Sequence, residues 1–301
     1  MALVPSPLQR IDTDLFSEKG LTVHVKRDDL IHPTVMGNKW RKLKYNLAYA
    51  LEQGFEGVIT PGGAYSNHVA ATAAACREHQ LASVGIIRGD ELHPSSNATL
   101  KFASACGMKL HFVDRGHYRV AKQNPEEWRH RYPKFYFLPE GGTNHLAIKG
   151  CQEIVEELEE GWDYLAVSIG TGGTMAGLLK GMKGQGLLVG FSSLKGVFME
   201  EEFGQLASNY GIPYTNYKII SDFHFGGYGK TDDTLIDFIN REKAAIGLLF
   251  DPLYTAKMYF GLLKLVRDNF FEPGSKIVVL HTGGLQAIEG YNEKYSKKII
   301  V

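Results

Sequence analysis

Three things are missing from the 301-residue sequence. The first is any imbalance of charge: Lys plus Arg and Asp plus Glu both number 33, and no long block of one sign occurs. That argues against nucleic acid and against an anionic membrane as partners, since both require a concentrated basic surface. Cysteine is also scarce. Cys76, Cys106 and Cys151 are odd in number and lack the close pairing of a zinc or redox motif. Free thiols in a reducing compartment are therefore expected, and no metal centre. Long apolar runs are the third absence. The opening stretch MALVPSPLQRID contains Pro5 and Pro7 and reaches charge at Arg10, too soon for a signal peptide or membrane anchor, so a cytoplasmic location is expected.

What the chain does have is alternation. Hydrophobic residues at 44% and charged residues at 22% are ordinary globular usage. Short β-rich runs (VITPGG, ASVGIIRG, KLHFVD, FYFLPEGG, YLAVSIG, LLVGFSSL, KIISDF, KIVVLHTGG) alternate with helical patterns over nearly the whole length. This predicts an α/β protein with mainly parallel twisted sheets flanked by helices. The length suits two lobes better than one core. With no repeat and no linker, the chain must leave one lobe and return to it. The expected division is a large domain of residues 1–46 and 141–301 and a small domain of 47–140.

Three segments could carry chemistry. Gly170-Thr171-Gly172-Gly173-Thr174 follows an apolar strand and opens a helix, a geometry that binds phosphate through converging N–H groups and hydroxyls. A dinucleotide fingerprint would need glycine where Met175 stands, and the next strand ends without a ribose-binding acid, which weakens a nicotinamide-dependent oxidoreductase. A plain glycine-rich connection is the bland alternative. In Gly37-Asn38-Lys39, Asn38 can cap a helix whose first turn would fix Lys39, where burial and the helix dipole favour a lowered pKa suited to Schiff-base chemistry. An ordinary surface lysine competes with that reading, and the basic cluster Lys39, Arg41, Lys42, Lys44 reads mostly as a solvated helix face. Ser66-Asn67-His68 begins an Ala-rich helix and could meet a carboxylate or a hydroxyl, or serve only as an N-cap.

Taken in order, KRDDLIHPTVMGNKWRKL, TPGGAYSNH, GTGGTMAGL, DPLYTAK and HTGG resemble the fold-type II (tryptophan synthase β-like) pyridoxal-phosphate enzymes, specifically the 1-aminocyclopropane-1-carboxylate deaminase and D-cysteine desulfhydrase family. The likeness spans nearly the whole chain, and five linked motifs are far more specific than one. It implies that Lys39 carries pyridoxal 5'-phosphate as a Schiff base and that Asn67 bonds the cofactor's phenolic oxygen. Gly170, Thr171, Gly172, Gly173 and Thr174 would hold the phosphate. Ser66 would bind the substrate carboxylate, and Tyr228 and Tyr254 would line the substrate side.

The family's two chemistries divide at two positions. Deaminases of the group resemble one another in having glutamate after the tyrosine of the DPxY motif and leucine in HxGG; this chain has Thr255 and Thr282. A glutamate would keep the pyridine nitrogen protonated and strengthen the electron sink that opening a cyclopropane requires, whereas β-elimination of thiolate asks less of it. The threonines favour desulfhydrase-type α,β-elimination of a small amino acid to a 2-oxo acid, ammonia and sulfide, by a homodimeric lyase. Cyclopropane deamination is the first alternative. A non-catalytic ligand-binding protein of the same fold is another, since Tyr65 replaces a usual glutamine, Ala70 and Ala71 replace a basic residue, and the chain is short for the family.

Overall fold

The structure, a computed structural model, describes residues 2–301. Its strands come from short apolar runs that bury both faces. In Tyr164–Ile169, for example, every residue after the tyrosine is buried, as a strand inside a parallel sheet covered on both sides requires. The strands in chain order are β1 (Leu8–Ile11), β2 (Thr22–Lys26), β3 (Gly57–Gly63), β4 (Ala82–Arg88), β5 (Lys109–Val113), β6 (Phe135–Phe137), β7 (Tyr164–Ile169), β8 (Leu187–Ser192), β9 (Tyr217–Ile220) and β10 (Lys276–Leu280). They form a six-stranded sheet ordered β1-β2-β10-β7-β8-β9 and a four-stranded sheet ordered β5-β4-β3-β6. All pairings are parallel except that of β1 with β2. The expected α/β architecture with mainly parallel sheets is the one observed.

The chain divides into two compact units. The first takes in the chain up to His32, then Met36–Asn38 and Cys151–Val301; the second is Pro33–Val35 with Lys39–Gly150. The main borders thus fall after Asn38 and after Gly150, outside the expected 47–140, so the second unit includes the helix Asn38–Glu52 from Lys39 onward. The first unit packs Val23, Val25, Ala166, Val189, Ile277 and Val279 of its sheet with Phe250, Tyr259 and Leu262. In the second unit, neighbouring residues of one strand serve opposite faces. Val58 and Ile87 join a cluster with Val69 and Ala73, while Ile59 and Ile86 join one with Ala121 and Trp128.

One expectation about surface is corrected. In the helix Asn38–Glu52, Arg41 (0% exposed) and Lys42 (2%) are interior, and of the four basic residues only Lys44 is fully at the surface. The reason is local packing. Lys42 Nζ donates to the carbonyl of Gly141 at 2.9 Å, and Gly150 presses so closely on the Arg41 carbonyl that any Cβ there would overlap it. All three cysteines are buried and outside any disulfide, and burial pushes the Cys76 thiol up to about 12, which leaves it unreactive. Among the described residues no helix is long and apolar enough to cross a membrane, and no cluster of metal-binding side chains occurs.

Candidate active site

In the first unit the predicted residues gather at the carboxyl ends of β7 and β10. After Ile169 the chain enters Gly170–Thr174, and Gly172, with φ +78°, turns it into the helix Gly173–Met182. A left-handed residue at that point suits glycine best. No side chain caps this helix, and Gly172, Gly173 and Thr174 are buried. The first amides of a buried, uncapped helix need an acceptor, and an anion supplies one. The ring of Tyr254 lies over Gly170, where an added Cβ would come within 3.1 Å of it. Tyr228 follows, its ring centroid 5.8 Å from that of Tyr254 and 40% of its surface exposed.

Thr282 follows β10 in the turn His281-Thr282-Gly283-Gly284. Its Oγ1 is 3.4 Å from Ser168 Oγ, and both hydroxyls are buried. His281 braces the turn: Nε2 donates to the Leu249 carbonyl at 2.8 Å, and Nδ1 accepts the N–H of Gly283 at 3.2 Å. Asp29, held by Arg27 through two bonds of 2.9 and 2.7 Å, also takes the side-chain of His281 as a neighbour at 3.6 Å. The Gly37-Asn38 step is locked against the same turn. Gly37 has φ +61°, and any Cβ there would overlap the Thr282 carbonyl oxygen. The N–H of Asn38 donates to that oxygen at 3.2 Å, and its side-chain amide donates to Thr174 Oγ1 at 2.9 Å. The residue immediately before Lys39 is therefore fixed by both loops.

Thr255 has its hydroxyl engaged within its own turn. Fully buried, it donates its hydroxyl to Asp251 Oδ2 at 2.6 Å and accepts the Asp251 N–H at 2.9 Å. Asp251 also accepts the N–H groups of Leu253, Tyr254 and Thr255 at 2.8, 2.9 and 2.8 Å. Burial pushes this carboxyl up, while the same donors oppose the rise. The turn is thus a rigid start for the helix Thr255–Arg267, and it sets where Tyr254 stands.

In the second unit Lys39 is half-buried on the first turn of its helix. Ser66 does cap a helix: its Oγ accepts the Val69 N–H at 3.3 Å, which leaves the hydroxyl proton able to donate. Asn67 is more telling, because its Oδ1 is buried with no partner. Beside it His68 places Nε2 3.1 Å from Thr60 Oγ1, while Nδ1 is buried without a partner. Burial, reinforced by the charges of Lys39 and Lys42, holds His68 well below its ordinary pKa, so the ring is neutral near pH 7. Lys39 is therefore near enough to the Asn67-His68 step to act on it electrostatically. Gly142, at φ +70°, gives the His68 ring room that a Cβ would fill.

Several of these contributors escape a reading of the sequence. Ser168 signals itself only as a small polar residue inside an apolar strand, and the brace through Arg27, Asp29 and His281 joins segments some 250 residues apart, on the order of a whole domain's length. The first unit offers an uncapped, buried helix start under an aromatic ring, and the second offers an asparagine whose buried amide oxygen has no partner. The helix start suits an anionic group, and the amide oxygen suits a hydroxyl.

Comparison with known proteins agrees. A family model described as pyridoxal-phosphate dependent enzyme matches residues 1–283. The bifunctional D-cysteine desulfhydrase/1-aminocyclopropane-1-carboxylate deaminase of Arabidopsis thaliana is 28% identical over 95% of this chain and 77% of its own length. The 1-aminocyclopropane-1-carboxylate deaminase of Burkholderia vietnamiensis is 28% identical over 95% of this chain and 93% of its own. Among solved structures, that of an ACC deaminase homologue superposes with a TM-score of 0.82 at 29% identity, covering 96% of this chain and 92% of the other.

Proposed function

The chain belongs to the pyridoxal-phosphate dependent enzyme family, and from that membership we propose that it is a lyase that performs α,β-elimination on a small amino acid, with D-cysteine giving pyruvate, ammonia and sulfide. When bound, pyridoxal phosphate supplies the sink for the electron pair left at the substrate's α-carbon. Lys39 Nζ would hold the cofactor's aldehyde carbon, and as a free amine it would take the substrate's α-proton. The Gly170–Thr174 amides and hydroxyls hold the phosphate, and the Asn67 amide meets the ring hydroxyl. Ser66 donates to the substrate carboxylate with the proton its capping role leaves free. Tyr254 and Tyr228 line the substrate and can pass a proton to the leaving group.

The observation that carries the choice of reaction is the buried hydroxyl pair of Ser168 and Thr282, 3.4 Å apart. A ring nitrogen placed against these neutral hydroxyls would not be held protonated, and with Thr255 engaged by Asp251 the DPLYT turn would add only another neutral group. Such a site suffices when the carbanion collapses forward by expelling thiolate. Cyclopropane opening, the activity for which the Burkholderia relative is named, is the second reading.

Incubation with D-cysteine, L-cysteine and 1-aminocyclopropane-1-carboxylate, with assay of pyruvate, sulfide and 2-oxobutyrate, decides between them. Sulfide from D-cysteine is the expected result; 2-oxobutyrate without sulfide reverses the order, and a spectral shift without any product marks a binder that lost turnover. Borohydride reduction and peptide mapping should place a pyridoxyl group on Lys39. We further propose a cytoplasmic homodimer, to be tested by cell fractionation and sedimentation.

A further inference from the structure

Lys257 has no part in the reaction as described so far, yet its burial demands an explanation. Only 2% of it is exposed, and its Nζ donates to two backbone carbonyls, those of His224 and Gly227, both at 2.9 Å. These carbonyls belong to the turn His224-Phe225-Gly226-Gly227-Tyr228-Gly229-Lys230, in which Phe225, Gly226, Gly227 and Gly229 all have positive φ. A backbone so rich in left-handed residues has little regular structure to hold it. Within the turn, the Gly227 N–H donates to the His224 carbonyl at 3.0 Å and the Lys230 N–H to the Gly227 carbonyl at 3.1 Å. The ammonium is a second, longer-range partner for each of those oxygens, 30 and 33 residues away in sequence.

We propose that Lys257 is a positioning residue that clamps the Tyr228 turn onto the first turn of the Tyr254 helix and so sets where the Tyr228 phenol stands. This rests on the reading of Tyr228 as lining the substrate. The geometry makes one rigid element the source of both tyrosines: Tyr254 precedes the helix Thr255–Arg267, Asp251 fixes its start, and Lys257 reaches back from its first turn to fasten the other ring 5.8 Å away. With two of its hydrogens committed to carbonyls, the amine is unsuited to act as a second base. Burial lowers its pKa to about 8, against the opposing charges of Asp251 and Asp232, so at pH 7 it is still an ammonium and its bonds are charge-assisted.

Lys257→Met keeps the buried stem and removes the donors, and each carbonyl retains its backbone partner, so the fold should survive. Hydrogen exchange of the 225–230 amides should then quicken about tenfold, with the rest of the helix Thr255–Arg267 unchanged. In turnover of D-cysteine, KM should rise about tenfold while kcat stays within about twofold, and that effect should vanish when both proteins also carry Tyr228→Phe. Unchanged exchange overturns the clamp, and an equal KM penalty in the Tyr228→Phe background overturns its action through Tyr228. Should the methionine variant not fold, Lys257→Gln, able to reach one carbonyl, is read in the same way. If no amino acid is turned over, the proposed reaction fails while hydrogen exchange still tests the clamp.

Discussion

The loop after β7 and the turn after β3 both lie at the carboxyl end of a parallel strand and both open a helix, yet they are made of different material. Gly170–Thr174 leads into a helix that no side chain caps, so what it offers is main-chain N–H. The Ser66-Asn67-His68 turn is capped by Ser66, and what it offers is side chain: an unpartnered amide oxygen and an unpartnered imidazole nitrogen, both buried. A main-chain site depends on conformation and tolerates changes of side chain, provided glycine stays where φ is positive. A side-chain site depends on residue identity and carries an unsatisfied polar group until a partner arrives.

That contrast can be broken at points of decreasing effect. Lys39→Ala removes the one amine proposed to hold the aldehyde, and 2-oxo acid release should fall by about 10³-fold or more. A loss under tenfold would move the chemistry to another lysine. Gly37→Ala attacks the main-chain side. The left-handed backbone and the overlap with the Thr282 carbonyl should cost about 3 kcal/mol of stability in denaturant titration. Asn67→Ala attacks the other side and should behave in the opposite way: the melting temperature holds, because Oδ1 has no protein partner to lose, while pyridoxal phosphate binds about fivefold more weakly. A drop in Tm with no change in cofactor affinity would erase the distinction.

The smallest effect concerns pH. His68 is held neutral in the folded chain, so its pKa lies below that of the unfolded chain. As pH falls through the unfolded value near 6.5, the unfolded state takes up a proton that the folded state refuses, and stability declines. His68→Gln keeps a partner for Thr60 and cannot titrate; its stability should be flatter between about pH 6.5 and 5 than that of the wild type.

The parts of this picture that are legible in the sequence are the local ones. Apolar runs such as YLAVSI, followed by Gly170, and KIVVL, followed by His281-Thr282-Gly283, identify strand, edge and loop together, because a parallel strand buried on both faces has to be apolar throughout. β1 is another matter. LQRI alternates in exposure and pairs antiparallel at an edge, which leaves almost no apolar signature. Long-range contacts are equally silent: nothing in the spacing of GNKWRKL says that Lys42 turns inward to the Gly141 carbonyl, or that Asn38 reaches Thr174. Thr255 shows the limit best. It stands where deaminases of the family have glutamate, but where its hydroxyl goes is decided by Asp251, four residues earlier, whose carboxyl group gathers the amides of that turn.

The outermost strands have a consequence for assembly. β1 and β9 have four residues each, β6 has three and β5 has five, and Arg10, Lys218 and Lys109 sit on three of these four borders. Short, cation-bearing margins give a foreign ribbon little to hydrogen-bond and a desolvation cost to meet. For a second copy of this chain, continuing either sheet is thus disfavoured relative to contact through helices and loops.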